Sequence, residues 1–249
     1  MLSRRCVLQL LGLGSAALPS LQCLDAAEPV SQSDAHHGMQ LASAKKQVAV
    51  LLYENAILFD YGPPAEIFRV AEWTNAFNVF TVGLSTAPMP NIFFPREIKA
   101  DFRLEDSPKT DVVVIPGGDW ATIQQRAERG DRKMLLWIRD CLESGTTVLG
   151  VCTGAYILAL AGLLDGRRAT SLPFEIENFR RLAPKTDVRE DMLFVDDGNI
   201  VTASGGYAGI DAALHIVRRI RGVEAARFVA NDYLNYDNWS PTFTGQVKN

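Results

Sequence analysis

The sequence predicts one α/β domain, a three-layer α/β/α sandwich on a mostly parallel sheet. Three observations carry this expectation. Short apolar runs of β type alternate with amphipathic helical runs between residues 47 and 233. Two of the β runs end in glycine-marked turns, Pro116-Gly117-Gly118 and Gly150-Val151-Cys152-Thr153-Gly154. The 249-residue chain is 47% hydrophobic and 22% charged, the composition of one medium-sized globular domain.

The elements follow in order. Residues 47–53 (QVAVLLY) read as a buried strand, and residues 64–73 (PAEIFRVAEW) as an amphipathic helix with proline in its first turn. Residues 77–84 form a second strand, and residues 91–94 and 98–102 short strands or a hairpin. The continuous apolar run 111–115 is a strand that stops at Pro116. Helices over 122–129 and 132–144 precede a strand at 146–149 and a helix at 155–161. A short strand at 168–171 leads into a helix over 174–182. Residues 192–195 and 199–202, divided by Asp196-Asp197-Gly198, make a hairpin. Helices over 210–220 and 223–233 close the domain. Sheets of this kind bind ligands beyond the carboxyl ends of their strands. Three loops fit that position: 54–64, 116–120 and 151–154.

The N-terminus stands apart. Ser3-Arg4-Arg5-Cys6-Val7-Leu8-Gln9, an apolar run to Leu18, Pro19 and Ala26-Ala27 resemble a twin-arginine export signal. The alternative is a frayed helix with a chance arginine pair. On the export reading, residues 1–27 are the signal, 28–46 a polar disordered linker, 47–236 the domain and 237–249 a C-terminal tail. The expected location is periplasmic or exported, and cytoplasmic if the signal reading fails. A net charge of −4 without a long basic run argues against a nucleic-acid surface. No apolar stretch reaches the roughly 20 residues that span a bilayer, so no membrane anchor is expected after cleavage. Cys6 and Cys23 leave with the signal, and Cys141 and Cys152 remain at opposite ends of a strand, too far apart for a disulfide.

Cys152 is the centre of the chemical reading. In a strand-to-helix turn this tight, a Cβ on either flanking residue would strike the strand or the helix, hence Gly150 and Gly154. The central side chain is lifted into a cleft at the positive end of the next helix, where the dipole favours thiolate. A buried cysteine in a Gly-bordered turn is the alternative; the flanking strand and helix favour a nucleophile.

Three stretches resemble the ThiJ/PfpI superfamily, the class I glutamine amidotransferase-like proteins. They are Phe59-Asp60-Tyr61-Gly62-Pro63-Pro64-Ala65-Glu66-Ile67-Phe68, Val112-Val113-Val114-Ile115-Pro116-Gly117-Gly118, and Val151-Cys152-Thr153-Gly154-Ala155 continuing to Thr170. The stretch Ser204-Gly205-Gly206-Tyr207-Ala208-Gly209-Ile210-Asp211 resembles the start of the superfamily's last helix. The resemblance covers residues 47–236 and implies a flavodoxin-like sheet with a nucleophile elbow. Within the superfamily, the Asp-type loop and the Cys-Thr pair are most similar to isonitrile hydratases and to sensor domains of AraC-type regulators. Many relatives carry a histidine beside the cysteine or after the strand that ends here at Thr170. This chain has Thr153 in the first place and Ser171-Leu172-Pro173 around the second, which argues against peptidase and deglycase activity. His215 lies in an apolar helical run, where a packing role is expected.

The resemblance implies a role for each site residue. Asp60 becomes the partner of Cys152: partly desolvated beside a thiolate, it stays protonated near neutrality and supplies a proton. Its alternative role is to cap the helix near Pro63-Pro64. Gly117 and Gly118 would turn backbone N–H groups toward developing negative charge, with the Thr153 N–H as a further donor. Pro-Gly-Gly is also a common strand terminator. The Thr153 hydroxyl would orient water or substrate, or simply mark a helix start. The implied function is that of an exported, cysteine-dependent hydratase or hydrolase converting an isocyanide and water to an N-substituted formamide. The rival is a non-catalytic ligand or redox sensor. A small-molecule substrate, a homodimer, and neither metal nor organic cofactor are expected. The aromatic segment 232–239 covers either the pocket mouth or a dimer contact.

Overall fold

The computed structural model describes residues 45–71, 76–91, 96–237 and 239–245. The expected signal, nearly all of the linker and residues 92–94 of the expected hairpin lie outside the described residues. Nine strands are described: β1 (Lys46–Leu51), β2 (Phe77–Gly83), β3 (Phe102–Arg103), β4 (Val112–Ile115), β5 (Thr147–Val151), β6 (Arg168–Ala169), β7 (Asp187–Val188), β8 (Phe194–Asp197) and β9 (Ile200–Ala203). The helices are α1 (Leu58–Ala71), α2 (Trp120–Glu128), α3 (Lys133–Glu143), α4 (Gly154–Leu160), α5 (Ile176–Leu182), α6 (Gly206–Arg221) and α7 (Val223–Arg227).

Seven strands join in the order β3-β2-β1-β4-β5-β9-β8. Every pairing in this sheet is parallel except β8 with β9. The central order β2-β1-β4-β5-β9 is the flavodoxin-like arrangement, with its topological switch between β1 and β4. The crevice at the carboxyl ends of those two strands is therefore the place to look for a site.

The strands form where the sequence is continuously apolar, because parallel strands are covered on both faces. All four residues of β4 (VVVI) are buried. Successive side chains point to opposite faces, so each strand feeds two cores. Val48, Val50, Val112 and Val114 meet Ile67 and Phe68 of α1 and Leu214 and Val217 of α6. Ala49, Leu51, Val113 and Ile115 meet Ile138 of α3, Tyr156 and Ile157 of α4 and Phe179 of α5. At about 1.5–3 kcal/mol for each large apolar side chain removed from water, these two layers stabilise the sandwich and fix the sheet between them.

The structure differs from the expected elements in four places. The strand expected at 98–102 reduces to an antiparallel bridge between Met89 and Ile98, and β3 begins only at Phe102, parallel to β2. α1 begins at Leu58 rather than at residue 64, so Asp60 lies on its first turn instead of in a loop. Pro63 and Pro64 occupy the second turn, where each withholds an N–H from the helix ladder; read alone, they mark a helix start. The strand expected at 168–171 shortens to β6, which pairs with β7 in a separate two-stranded sheet. Two-residue strands are too short to carry a periodicity. The last expected helix is α7 followed by a wider turn over Phe228–Tyr233.

Candidate active site

Cys152 joins β5 to α4 in a strained conformation. Its φ of 59° is in the left-handed region, which side-chain-bearing residues enter only when their surroundings force it. Backbone bonds hold it there: the Cys152 N–H donates to Ala203 O at 2.8 Å. The Ser171 hydroxyl, itself buried, donates to the Cys152 carbonyl at 2.9 Å. A Cβ on Gly154 would sit 2.2 Å from Ile115 O, and one on Gly150 would sit 2.9 Å from Leu158 Cδ1. Glycine is thus required at the first position by backbone, and favoured at the second by a core side chain.

Asp60 reaches the same point from α1. It is 3% exposed, and its Oδ2 accepts the Gly117 N–H at 3.1 Å. It also hydrogen-bonds the Cys152 thiol. The carboxylate therefore reaches across to the loop after β4, which is no capping geometry. Gly117 fills the space between the three polar side chains. A Cβ there would lie 2.6 Å from Asp60 Oδ2, 2.9 Å from Thr153 Oγ1 and 3.0 Å from Cys152 Cβ. Gly118, at φ 148°, donates its N–H to Thr153 Oγ1 at 3.0 Å. The N–H groups expected to face developing charge are thus engaged by the site's own side chains. They position Asp60 and Thr153.

The protonation of the pair also departs from expectation. Burial pushes Asp60 up to about 6, against the lowering effect of hydrogen bonds from Cys152 and Gly117. Burial, then the Asp60 charge, pushes the Cys152 thiol up to about 12, although the Thr153 N–H and hydroxyl bond the sulfur. The two groups hold one proton between them through the neutral range. Burial thus works against the charged form of both groups, and against a freely ionised thiolate in particular. The reason is depth: Cys152 is 5% exposed, and α4 is only seven residues long, so its dipole does not offset desolvation.

Two further residues support the site. The Ser171 hydroxyl is held on the Cys152 carbonyl. Tyr53, buried just after β1, donates to Pro116 O at 2.8 Å and braces the Gly117 loop. Both links join residues far apart in sequence, so no local pattern announces them. Beside the site, Phe59 is 45% exposed and packs edge-on to Tyr207, with ring centroids 5.2 Å apart.

The remaining expected features lie elsewhere. His215 bonds Asp196 Oδ2 at 2.6 Å and packs on the Phe194 ring, a structural role at β8. The described tail folds back through Tyr236 to Asp211 and through Phe243 to Phe194. Among the described residues, no three His, Cys, Asp or Glu side chains are grouped to hold a metal ion. No helix among them is long and apolar enough to cross a membrane.

Comparison with known proteins agrees with this architecture. Isonitrile hydratase of Pseudomonas putida is 35% identical over 133 residues, 53% of this chain and 55% of that protein. The HTH-type transcriptional regulator CdhR of Pseudomonas aeruginosa is 37% identical over 101 residues, 41% of this chain and 30% of the regulator. The chain thus spans from about a third to just over half the length of these curated relatives. The crystal structure of Drosophila melanogaster DJ-1beta superposes with a TM-score of 0.64 at 25% identity, covering 76% of this chain and 98% of that one. Residues 46–219 match the DJ-1/PfpI family, which takes in every strand of the sheet and the elbow at Cys152. The chain belongs to the DJ-1/PfpI family.

Proposed function

We propose that the protein is a cysteine-dependent hydratase of small neutral molecules, acting on isocyanides or close analogues. The observation that carries this reading is the buried meeting of Cys152 and Asp60 around Gly117. Such a pair can pass a proton between sulfur and substrate. The similarity to isonitrile hydratase supports the substrate class.

In the proposed reaction, the Asp60 carboxylate takes the thiol proton as sulfur attacks the terminal carbon of R–N≡C. A C–S bond forms, and Asp60 returns the proton to the same carbon, giving the thioimidate R–N=CH–S–Cys152. Water adds to that carbon, nitrogen takes a proton, and the C–S bond breaks to release R–NH–CHO and the thiol. The net change is addition of one water. The Thr153 hydroxyl, beside the sulfur, orients that water. In the same proposal the protein is exported through its Arg4-Arg5 leader and works as a homodimer.

The test is turnover of a simple alkyl isocyanide to its formamide by purified protein. Cys152→Ala should abolish it, and Asp60→Asn should slow it roughly a hundredfold, both with unchanged circular dichroism. Turnover by Cys152→Ala at the wild-type rate would show the reading to be wrong. A second reading, ligand sensing without turnover, is favoured by the match to transcriptional regulators. Saturable ligand binding at Cys152 with no product formed would select it.

A further inference from the structure

We propose that the cleft beside Tyr53 is a second binding site, separate from the thiol, for a small organic cation with an apolar body. The cleft has a volume near 380 Å³, within the roughly 300–1,000 Å³ of small-molecule sites. Its apolar lining comes from Leu52 and Tyr53 at the end of β1, Leu84 after β2, Ile123 on α2 and Met134 on α3. These residues supply contact area for a hydrocarbon or aryl body.

The charges on the lining favour a cation. Glu54 and Asp119 line the cleft, and Arg126 is the one cationic residue on its lining among the described residues. The Arg126 guanidinium is already spent on the Asp131 carboxylate, so it does not neutralise the cleft. Asp119 accepts bonds from Thr122 N–H and Oγ at 3.1 and 2.7 Å, which orient its carboxylate without cancelling its charge. An ammonium or amidinium group gains from both carboxylates, whereas a carboxylate or phosphate meets like charge. A neutral ligand of the same shape desolvates the lining without compensation.

Neither Cys152 nor Asp60 lines the cleft. Tyr53 lines it, and the same phenol is fixed to Pro116 O, on the strand end that leads into Gly117 and the Asp60–Cys152 pair. Occupancy of the cleft therefore needs no contact with Cys152, and the inference does not depend on the proposed hydratase reaction.

The experiment is isothermal titration of the full chain with phenethylamine, phenethyl alcohol and phenylacetate as probes. Saturable 1:1 binding of the amine, much weaker binding of the alcohol and none of phenylacetate are expected. Glu54→Gln should weaken the amine roughly fivefold, and added salt should weaken it further. Ala87→Trp, which fills the cleft from an exposed lining position, should abolish binding, whereas Cys152→Ser should leave it unchanged. The proposal is overturned if phenylacetate binds as well as the amine, or if the amine shows no saturation. It is equally overturned if Glu54→Gln has no effect, or if Cys152→Ser removes binding and so puts the probe in the thiol site.

Discussion

The Cys152 thiol and the Asp60 carboxyl form one hydrogen-bonded unit inside the protein, in which the Asp60 charge pushes the thiol pKa up while the hydrogen bond from Cys152 holds that of Asp60 down. Asp60 arrives on the first turn of α1, Cys152 on the turn after β5, and Gly117 lies between them with an N–H aimed at the carboxylate.

This predicts a stability cost at neutral pH. The folded-state pKa of Asp60 is raised to about 6, above the roughly 3.9 of an unfolded aspartate. Its favourable contribution is therefore complete below pH about 4 and is lost as pH rises through about 6. Asn at this position carries no such charge. Asp60→Asn should be more stable than wild type by about 1–3 kcal/mol at pH 7.5, with the gain vanishing near pH 4. Urea denaturation at both pH values measures it; an equal difference at the two would remove burial of a charge as the cause.

Ser171 should matter to the shape of the elbow. Its hydroxyl is the side-chain donor to the carbonyl of a residue held at φ 59°. Ser171→Ala removes that bond from a buried position and should cost about 1–2 kcal/mol. Alkylation of Cys152 should slow in parallel, because the strained turn relaxes and the sulfur moves from Asp60. Unchanged denaturation and alkylation would mean that the carbonyl is held well enough by the rest of the turn.

Gly117 admits no side chain without moving the chemistry. With a methyl 2.6 Å from Asp60 Oδ2 and 2.9 Å from Thr153 Oγ1, Gly117→Ala must displace one or both. A shift near 1 Å in a proton relay costs about a hundredfold in rate. Isocyanide turnover by the folded variant checks this. Gly154→Ala is expected to lose the fold instead, because its methyl meets the Ile115 carbonyl at 2.2 Å; thermal melting separates the two outcomes.

Residues whose roles are set by their neighbours in sequence were legible. The buried run of β4 and the glycines around Cys152 act through local sterics, and the sequence shows both. Asp60 was legible as a partner for Cys152 but not as a helical residue, because Pro63-Pro64 conceal the turn before them. The engagement of the Gly117 N–H by Asp60 joins residues 57 apart, and that of the Cys152 carbonyl by Ser171 joins residues 19 apart. Neither leaves a local trace. The upward push on the thiol left no trace in the sequence, which shows a helix start but not how deeply the sulfur lies beneath it.

The pH dependence of Cys152 alkylation by iodoacetamide, resolved from Cys141 by peptide mass mapping, tests the relay most directly. If Asp60 is the base, the wild-type rate rises through a limb near pH 6 and levels off by pH 8, and Asp60→Asn lacks that limb. A rate already maximal at pH 5, or a limb that survives in Asp60→Asn, would contradict a thiol whose proton passes through Asp60.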